Sequence, residues 1–283
     1  MDDFLFMTRH AGGSIDLIDI NPEHPGFQDI EYRERRNAIA KLALEYRSGE
    51  AIPLAEYTEE EHGVWRLILE ALSPLHRSYA CREILELQQF LGFSSDRMPQ
   101  LSDVNETLKR LAGFRMEPVA GLVSSRMFML YLGRKIFLST QYIRHYSQPF
   151  YTPEPDIVHE FIGHAATLAH PGIAEINRLI GVAVQIATDR EVARLASAYW
   201  YTLEFGAVMQ DGEVKAFGAG LLSSVKEIQS FRNATLRDWD LDVIGQTPFD
   251  PTDCQEHYFV APSFTHLITD LSCWLRMGGW REK

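Results

Sequence analysis

Two histidines and one glutamate carry the strongest chemical signal in this sequence. His159 and His164 lie five residues apart in Pro155-Asp156-Ile157-Val158-His159-Glu160-Phe161-Ile162-Gly163-His164. On a straight α-helix that spacing turns the second side chain about 140° away from the first, so one undisturbed face cannot present both. Gly163 offers a way round, because a glycine there lets the helix end or bend and turns His164 back. The zinc-protease signature needs its histidines at i and i+4, and the extra residue here removes that reading. A third ligand is expected at Glu204, on one helical stripe with Ser197, Trp200 and Tyr201. A carboxylate among aromatic rings is costly to bury unless it is paired or metal-bound. Two neutral imidazoles and one carboxylate form the facial triad of non-haem Fe(II) oxygenases, which leaves adjacent coordination positions open. No thiolate accompanies the set, which favours iron over zinc. The spacing by itself also fits ordinary helix histidines and a partly solvated Glu204.

These side chains need a scaffold, and the hydrophobic periodicity predicts a mostly helical one. Ile39, Leu42, Ala43 and Tyr46 repeat at helical spacing from Glu31 onward, with Gly49 as a stop. Thr58 and Glu61 form a capping-box signature before Trp65, Ile68, Leu69 and Leu72, and Pro74 is expected to end that helix. A third helix is predicted over 82–91, with Gly92 as its stop, and a fourth after an N-cap at Ser102. Ser124 and Ser125 cap a short helix that Gly133 terminates, before a β-rich run over 135–140. Pro153 and Pro155 bracket the next helix start. A long amphipathic helix is predicted over 189–205, ended by Gly206. Asp211-Gly212, flanked by apolar stretches, predicts a two-residue hairpin. The fold class expected is mostly α (α+β): an N-terminal arm over 1–29, one catalytic domain over 30–275 carrying a small sheet, and a short tail over 276–283.

Composition narrows the function. The 283 residues are 46% hydrophobic and 23% charged, which suits a packed globular domain rather than a disordered chain. Lys and Arg total 27 against 39 Asp and Glu, a net charge of −12 that phosphate backbones repel, so no nucleic-acid partner is expected. No apolar run is long enough for a membrane span, and Met1-Asp2-Asp3 lacks the basic start of a secretory signal. Cys81, Cys254 and Cys273 lie far apart, which argues against a disulfide framework and for a reducing, cytoplasmic compartment.

From about His24 to Phe264 the chain resembles the catalytic domain of the pterin-dependent aromatic amino acid hydroxylases. The residues that carry this are His24 to Phe27, Gly121 to Arg126, Thr140 to His145, Tyr151 to Glu160, Tyr199 to Gly206 and Phe217 to Ser224. The resemblance implies that His159, His164 and Glu204 hold Fe(II), with a tetrahydropterin and O₂ as co-substrates. It implies hydroxylation of the ring of a free aromatic L-amino acid, phenylalanine first, with tryptophan as the alternative within the family. By position, Phe128 matches the aromatic that stacks on the pterin, Glu160 a pterin-side carboxylate, and Gly121, Val123 and Ser125 the loop that meets the pterin ring. Arg144 matches the guanidinium for the substrate carboxylate, held by Asp156. Thr152 and Ser223 match polar groups near the substrate, Trp200 and Phe205 its aromatic walls, and Tyr199 a tyrosine beside the metal. Ser223 also suits a hydrogen-bond partner to an iron-binding histidine.

The chain departs from the family pattern in two places. Gly163-His164-Ala165-Ala166 lacks the proline usual after the second histidine, and Leu138 stands where vertebrate members carry a histidine. Both bear on which ring carbon reacts, para to give tyrosine or meta to give meta-tyrosine. The regulatory domain and the heptad helix of the animal tetramers are also missing, so a monomer or weak dimer without substrate activation is expected. A zinc-dependent hydrolase with Glu160 as base is the alternative from a different reaction class.

Overall fold

The computed structural model describes residues 8–9, 15–16, 20, 22–251 and 254–282. Gly12 and Gly13, part of the predicted arm, lie outside the described residues. A short antiparallel pair, β1 (Thr8–Arg9) and β2 (Ile15–Asp16), precedes four helices: α1 (Ile30–Glu45), α2 (Glu59–Tyr79), α3 (Arg82–Leu91) and α4 (Leu101–Ala112). Their ends follow local chemistry. Asp29 accepts from Tyr32 N–H to cap α1, and Thr58 with Glu61 completes the capping box of α2. Gly92 and Gly113 adopt left-handed φ of 61° and 68° to close α3 and α4.

Three boundaries differ from the sequence expectation. Helix α1 stops at Tyr46, which is already extended, before Gly49 is reached. Pro74 sits inside α2 rather than ending it. Pro74 is exposed, so the carbonyl it leaves unpaired can be hydrated, while Leu72 and His76 on either side are buried and hold the helix to the core. The N-cap of α4 is Gln100, not Ser102: its backbone N–H donates to Asp103, and its amide exchanges two hydrogen bonds with the Ala55 backbone.

The second half builds the site. Strands β3 (Arg115–Pro118) and β4 (Ile136–Ser139) are parallel, joined through α5 (Ser125–Leu132). A π-helix (His159–Ala165) leads into α6 (Ala166–Leu168) and α7 (Pro171–Val184). Helix α8 (Asp189–Tyr199) then passes into a second π-helical turn (Trp200–Glu204), so the predicted 189–205 helix is two segments of different pitch. Strands β5 (Ala207–Gln210) and β6 (Glu213–Ala216) form the predicted hairpin, with φ of 54° at Asp211 and 81° at Gly212. After α9 (Ala219–Ser223) and α10 (Val225–Ser230) come β7 (Thr235–Asp238), α11 (Leu241–Ile244), β8 (His257–Ala261) and α12 (Phe264–Arg276). The larger sheet is mixed, in the order β6-β5-β8-β7.

One apolar core runs through the helices and under this sheet, with Trp65, Phe161, Phe217, Phe231 and Phe259 among its buried rings. Helices α5 and α7 meet glycine to glycine: a Cβ on Gly181 would lie 2.0 Å from the backbone nitrogen of Gly133. That close approach is what places α5 against the site. No described helix is long and apolar enough to cross a membrane.

Candidate metal centre and cofactor cavity

The two histidines come together by a change of helical pitch. In a π-helix the backbone bonds run from i to i+5, so residues five apart fall on one face. Across His159–Ala165 that pitch removes the 140° problem of a straight α-helix. Gly163 therefore neither ends nor bends the helix, contrary to expectation. Its missing side chain serves a neighbour instead: a Cβ there would lie 2.7 Å from the Ala219 carbonyl oxygen and 2.9 Å from the Ala219 Cβ, so α9 can approach only a glycine.

Glu204 reaches the same point from the second π-helical turn. Phe205 N–H donates to the Trp200 carbonyl at 2.8 Å, an i to i−5 bond. The Thr202 hydroxyl donates to the Ala198 carbonyl at 2.6 Å, a back-bond that loosens the ordinary ladder. The expected stripe of Ser197, Trp200, Tyr201 and Glu204 does not survive this. Tyr201 points into the sheet, packed on His257 and Phe259, with its hydroxyl on the Pro248 carbonyl at 2.7 Å.

The ligand atoms converge. His164 Nε2 is 2.8 Å from Glu204 Oε1 and 2.9 Å from His159 Nε2, and His159 Nε2 is 3.5 Å from Glu204 Oε2. Ligand atoms about 2.1 Å from one ion and at right angles stand about 3 Å apart, so these separations match one face of an octahedron. Among the described residues this is the one cluster of three such side chains. The donor set fits a divalent iron.

Hydrogen bonding orients His159. The Ser223 hydroxyl donates to the Ala219 carbonyl at 2.8 Å, which leaves a lone pair for His159 Nδ1 at 2.9 Å. Nδ1 then carries the proton and Nε2 keeps its lone pair toward Glu204. Ser223→Ala is expected to weaken metal binding about 10- to 100-fold with the fold intact, as read by Fe(II) titration of the metal-free protein.

Burial dominates the electrostatics. It pushes His159 down to about 4, so the imidazole is neutral at pH 7, as ligation requires. Burial alone would raise Glu204, but His164 and His159 outweigh it and hold the carboxyl below its usual range. Glu160 is pushed well above the usual range by burial, then by Glu204. Asp156 shows the opposite balance, where burial is overcome by Arg144. Outside the centre, burial and then Arg36 push His24 down to about 4.

A histidine kept neutral by burial stabilises the fold above the unfolded value near 6.5, and that stability is lost as pH falls toward the folded value. The metal-free chain is thus expected to lose stability across that window, on the order of 3 kcal/mol at the enclosed His159 and less at His24, where solvent screens part of the effect. Thermal midpoints of metal-free protein measured from neutral to acidic pH check this; a flat profile through the histidine range contradicts it.

A cavity of about 290 Å³ opens beside the triad. Gly121, Val123, Ser125, Phe128, Glu160, Tyr199 and Trp200 line it together with His159, His164 and Glu204. The Tyr199 hydroxyl is buried at the cavity wall with no hydrogen-bond partner among the described residues. Arg144, Thr152, Asp156, Phe205 and Ser223 stand outside this lining. Arg144 Nε and Nη2 donate to both Asp156 oxygens at 2.8 and 2.7 Å, and Asp156 also accepts from the backbone of Arg144 and His159. Thr152 donates to the Glu154 carbonyl, and Phe205 backs Trp200 with ring centroids 4.8 Å apart. Sequence reasoning missed Phe249 and Pro251, which close one side; Phe249 stacks on Trp200 at 4.6 Å. Leu138, noted as a departure, lines the cavity.

A family model described as biopterin-dependent aromatic amino acid hydroxylase matches residues 14–277. The chain belongs to this family. It is 43% identical over 253 residues to tyrosine 3-monooxygenase of Mus musculus, covering 87% of this chain and 51% of that protein. Phenylalanine 4-monooxygenase, chloroplastic, of Pinus taeda is 43% identical over 256 residues, covering 90% of this chain and 72% of that protein. The chain thus spans about half the length of the mammalian relatives it matches. Among solved structures it resembles the Legionella pneumophila phenylalanine hydroxylase with a TM-score of 0.73 and 30% identity, covering 79% of this chain and 94% of that one. It also resembles the Chromobacterium violaceum phenylalanine hydroxylase that has bound iron(III) and 7,8-dihydrobiopterin, with a TM-score of 0.72 and 29% identity over 79% of this chain and 83% of that one.

Proposed function

We propose that the chain is an Fe(II)- and tetrahydropterin-dependent monooxygenase that hydroxylates the ring of free L-phenylalanine. The convergence of His159, His164 and Glu204 on a cavity walled by Gly121, Val123, Ser125, Phe128 and Glu160 carries this reading. His159, His164 and Glu204 would hold the iron and leave the opposite face of its shell to O₂ and substrate. When bound, Fe(II) and the reduced pterin supply the electrons that let O₂ deliver one oxygen atom to the ring. The protein's part is binding, orientation and exclusion of water.

Phe128 presents its ring to the pterin side, with Phe137 and Tyr199 packed edge-on against it at 5.2 and 5.6 Å. Glu160 retains its proton above the usual carboxylate range and offers a hydrogen bond to the pterin. Asp156 takes two donors of the Arg144 fork, while Nη1 makes no hydrogen bond among the described residues and is the corner offered to a substrate carboxylate. Trp200, backed by Phe205 and Phe249, supplies the apolar wall for the substrate ring.

The solved bacterial relatives support phenylalanine, whereas tyrosine 3-monooxygenases match the sequence equally well. Leu138 and the helix running unbroken through Ala166 bear on where the ring sits relative to the metal. A reducing, cytoplasmic compartment suits the unpaired Cys81, Cys254 and Cys273, and the assembly proposed is a monomer or weak dimer. The test is incubation with Fe(II), a tetrahydropterin and each of phenylalanine, tyrosine and tryptophan, with ortho, meta and para products separated by chromatography. No O₂- and pterin-dependent product from any of the three would sink the reading, and hydrolytic activity surviving without O₂ would favour the zinc hydrolase.

A further inference from the structure

Helix α9 touches both segments that carry the metal ligands. Ala219 packs on Gly163, and Ser223 holds His159. A Cβ on Gly218 would lie 2.3 Å from the Glu204 carbonyl oxygen, and Gly220 faces the Phe205 ring. A helix this short has little stability of its own. The carbonyls of its last turn have no partner within it, because the backbone turns extended at Ser224. One of them, the Leu222 carbonyl, lies 2.7 Å from His76 Nε2 of α2. A carbonyl only accepts, so His76 must carry its proton on Nε2. Nδ1 is then the acceptor, and Gln88 of α3 supplies it with an amide donor at 3.1 Å. His76 is buried, so Leu222 would have no water to replace this bond.

The geometry points to His76 as a positioning residue for the metal ligand His159. Gln88 donates to His76 and His76 to the Leu222 carbonyl; at the next residue of α9, the Ser223 hydroxyl donates to the Ala219 carbonyl and accepts from His159 Nδ1. The inference rests on the metal-centre reading above, and extends it to a residue that touches neither metal, cofactor nor substrate. Without His76 the end of α9 is free to shift, and the Ser223 hydroxyl leaves the line that keeps His159 Nδ1 protonated and its ring aimed. A role in packing alone would lower stability without changing metal affinity.

The experiment is titration of metal-free protein with Co(II), read by the visible absorption of the bound ion, with thermal midpoints recorded in parallel. His76→Phe is expected to weaken Co(II) binding about tenfold. His76→Gln, whose amide can still donate to Leu222, should restore affinity close to wild type. In a Ser223→Ala background, His76→Phe should produce no further loss, since both act through one hydroxyl. Gln88→Leu, which leaves the buried histidine in place, should shift affinity in the same direction by less, and keeps the question answerable if His76→Phe does not fold. Wild-type Co(II) affinity in His76→Phe or, if that variant is unfolded, in Gln88→Leu would overturn the proposal, as would a fully additive loss in the double variant. Failure of the wild-type chain itself to bind Co(II) would instead overturn the metal-centre reading.

Discussion

Replacing Glu204 by alanine is expected to abolish hydroxylation and metal binding together, while the chain stays folded. The carboxylate supplies one of three ligands, and two imidazoles 2.9 Å apart cannot define the face by themselves. Loss of an outer-shell partner alone typically costs 10- to 100-fold in affinity, so loss of a ligand should exceed about 100-fold. Folding suffers much less. Burying this carboxylate opposes its ionisation, and the 2.8 Å bond to His164 largely offsets that cost in the metal-free protein. Fe(II) titration and the thermal midpoint of one Glu204→Ala preparation would separate the two effects. Wild-type metal affinity in that preparation would remove Glu204 from the centre.

Asp156→Ala should give the largest loss of stability at any residue around the site, about 3–5 kcal/mol. Asp156 is fully buried and accepts from the backbone and both prongs of Arg144 and from His159 N–H. Its removal leaves a buried guanidinium without a counter-charge and two backbone donors without an acceptor. A double variant, Asp156→Leu with Arg144→Met, should recover part of the stability, because no unpaired charge remains. It should not recover the KM for the amino acid, because the donor proposed for the substrate carboxylate is gone. Chemical denaturation of the two variants beside the wild type, with KM for the double variant, tests both halves. A single variant as stable as wild type would mean that the pair contributes nothing to the fold.

Local signals were legible where local chemistry decides. The Asp211-Gly212 hairpin, the Thr58–Glu61 capping box, and the stops at Gly92 and Gly133 stand where the sequence places them. Pro74 and Ser102 misled because their preferences are worth only a few kcal/mol or less, and burial of Leu72 and His76, or the Gln100–Ala55 bonds, outweigh them. Strand β3 is short and pairs only with a distant segment, so no periodicity within it announces a strand. Phe249 and Pro251 are far in sequence from Trp200, and nothing near them marks a cavity wall.

By itself the sequence determined the family, the three candidate ligands that converge and the mostly helical frame, because side-chain chemistry and blocks of matched residues are local properties. Tertiary structure decided how those ligands meet. Both π-helical turns sit where distant or side-chain contacts meet the helix: α9 packs on Gly163 in the first, and the Thr202 hydroxyl bonds back to Ala198 in the second. A change of pitch has no pattern of its own in the sequence: it costs hydrogen-bond geometry that only contacts from distant segments can compensate.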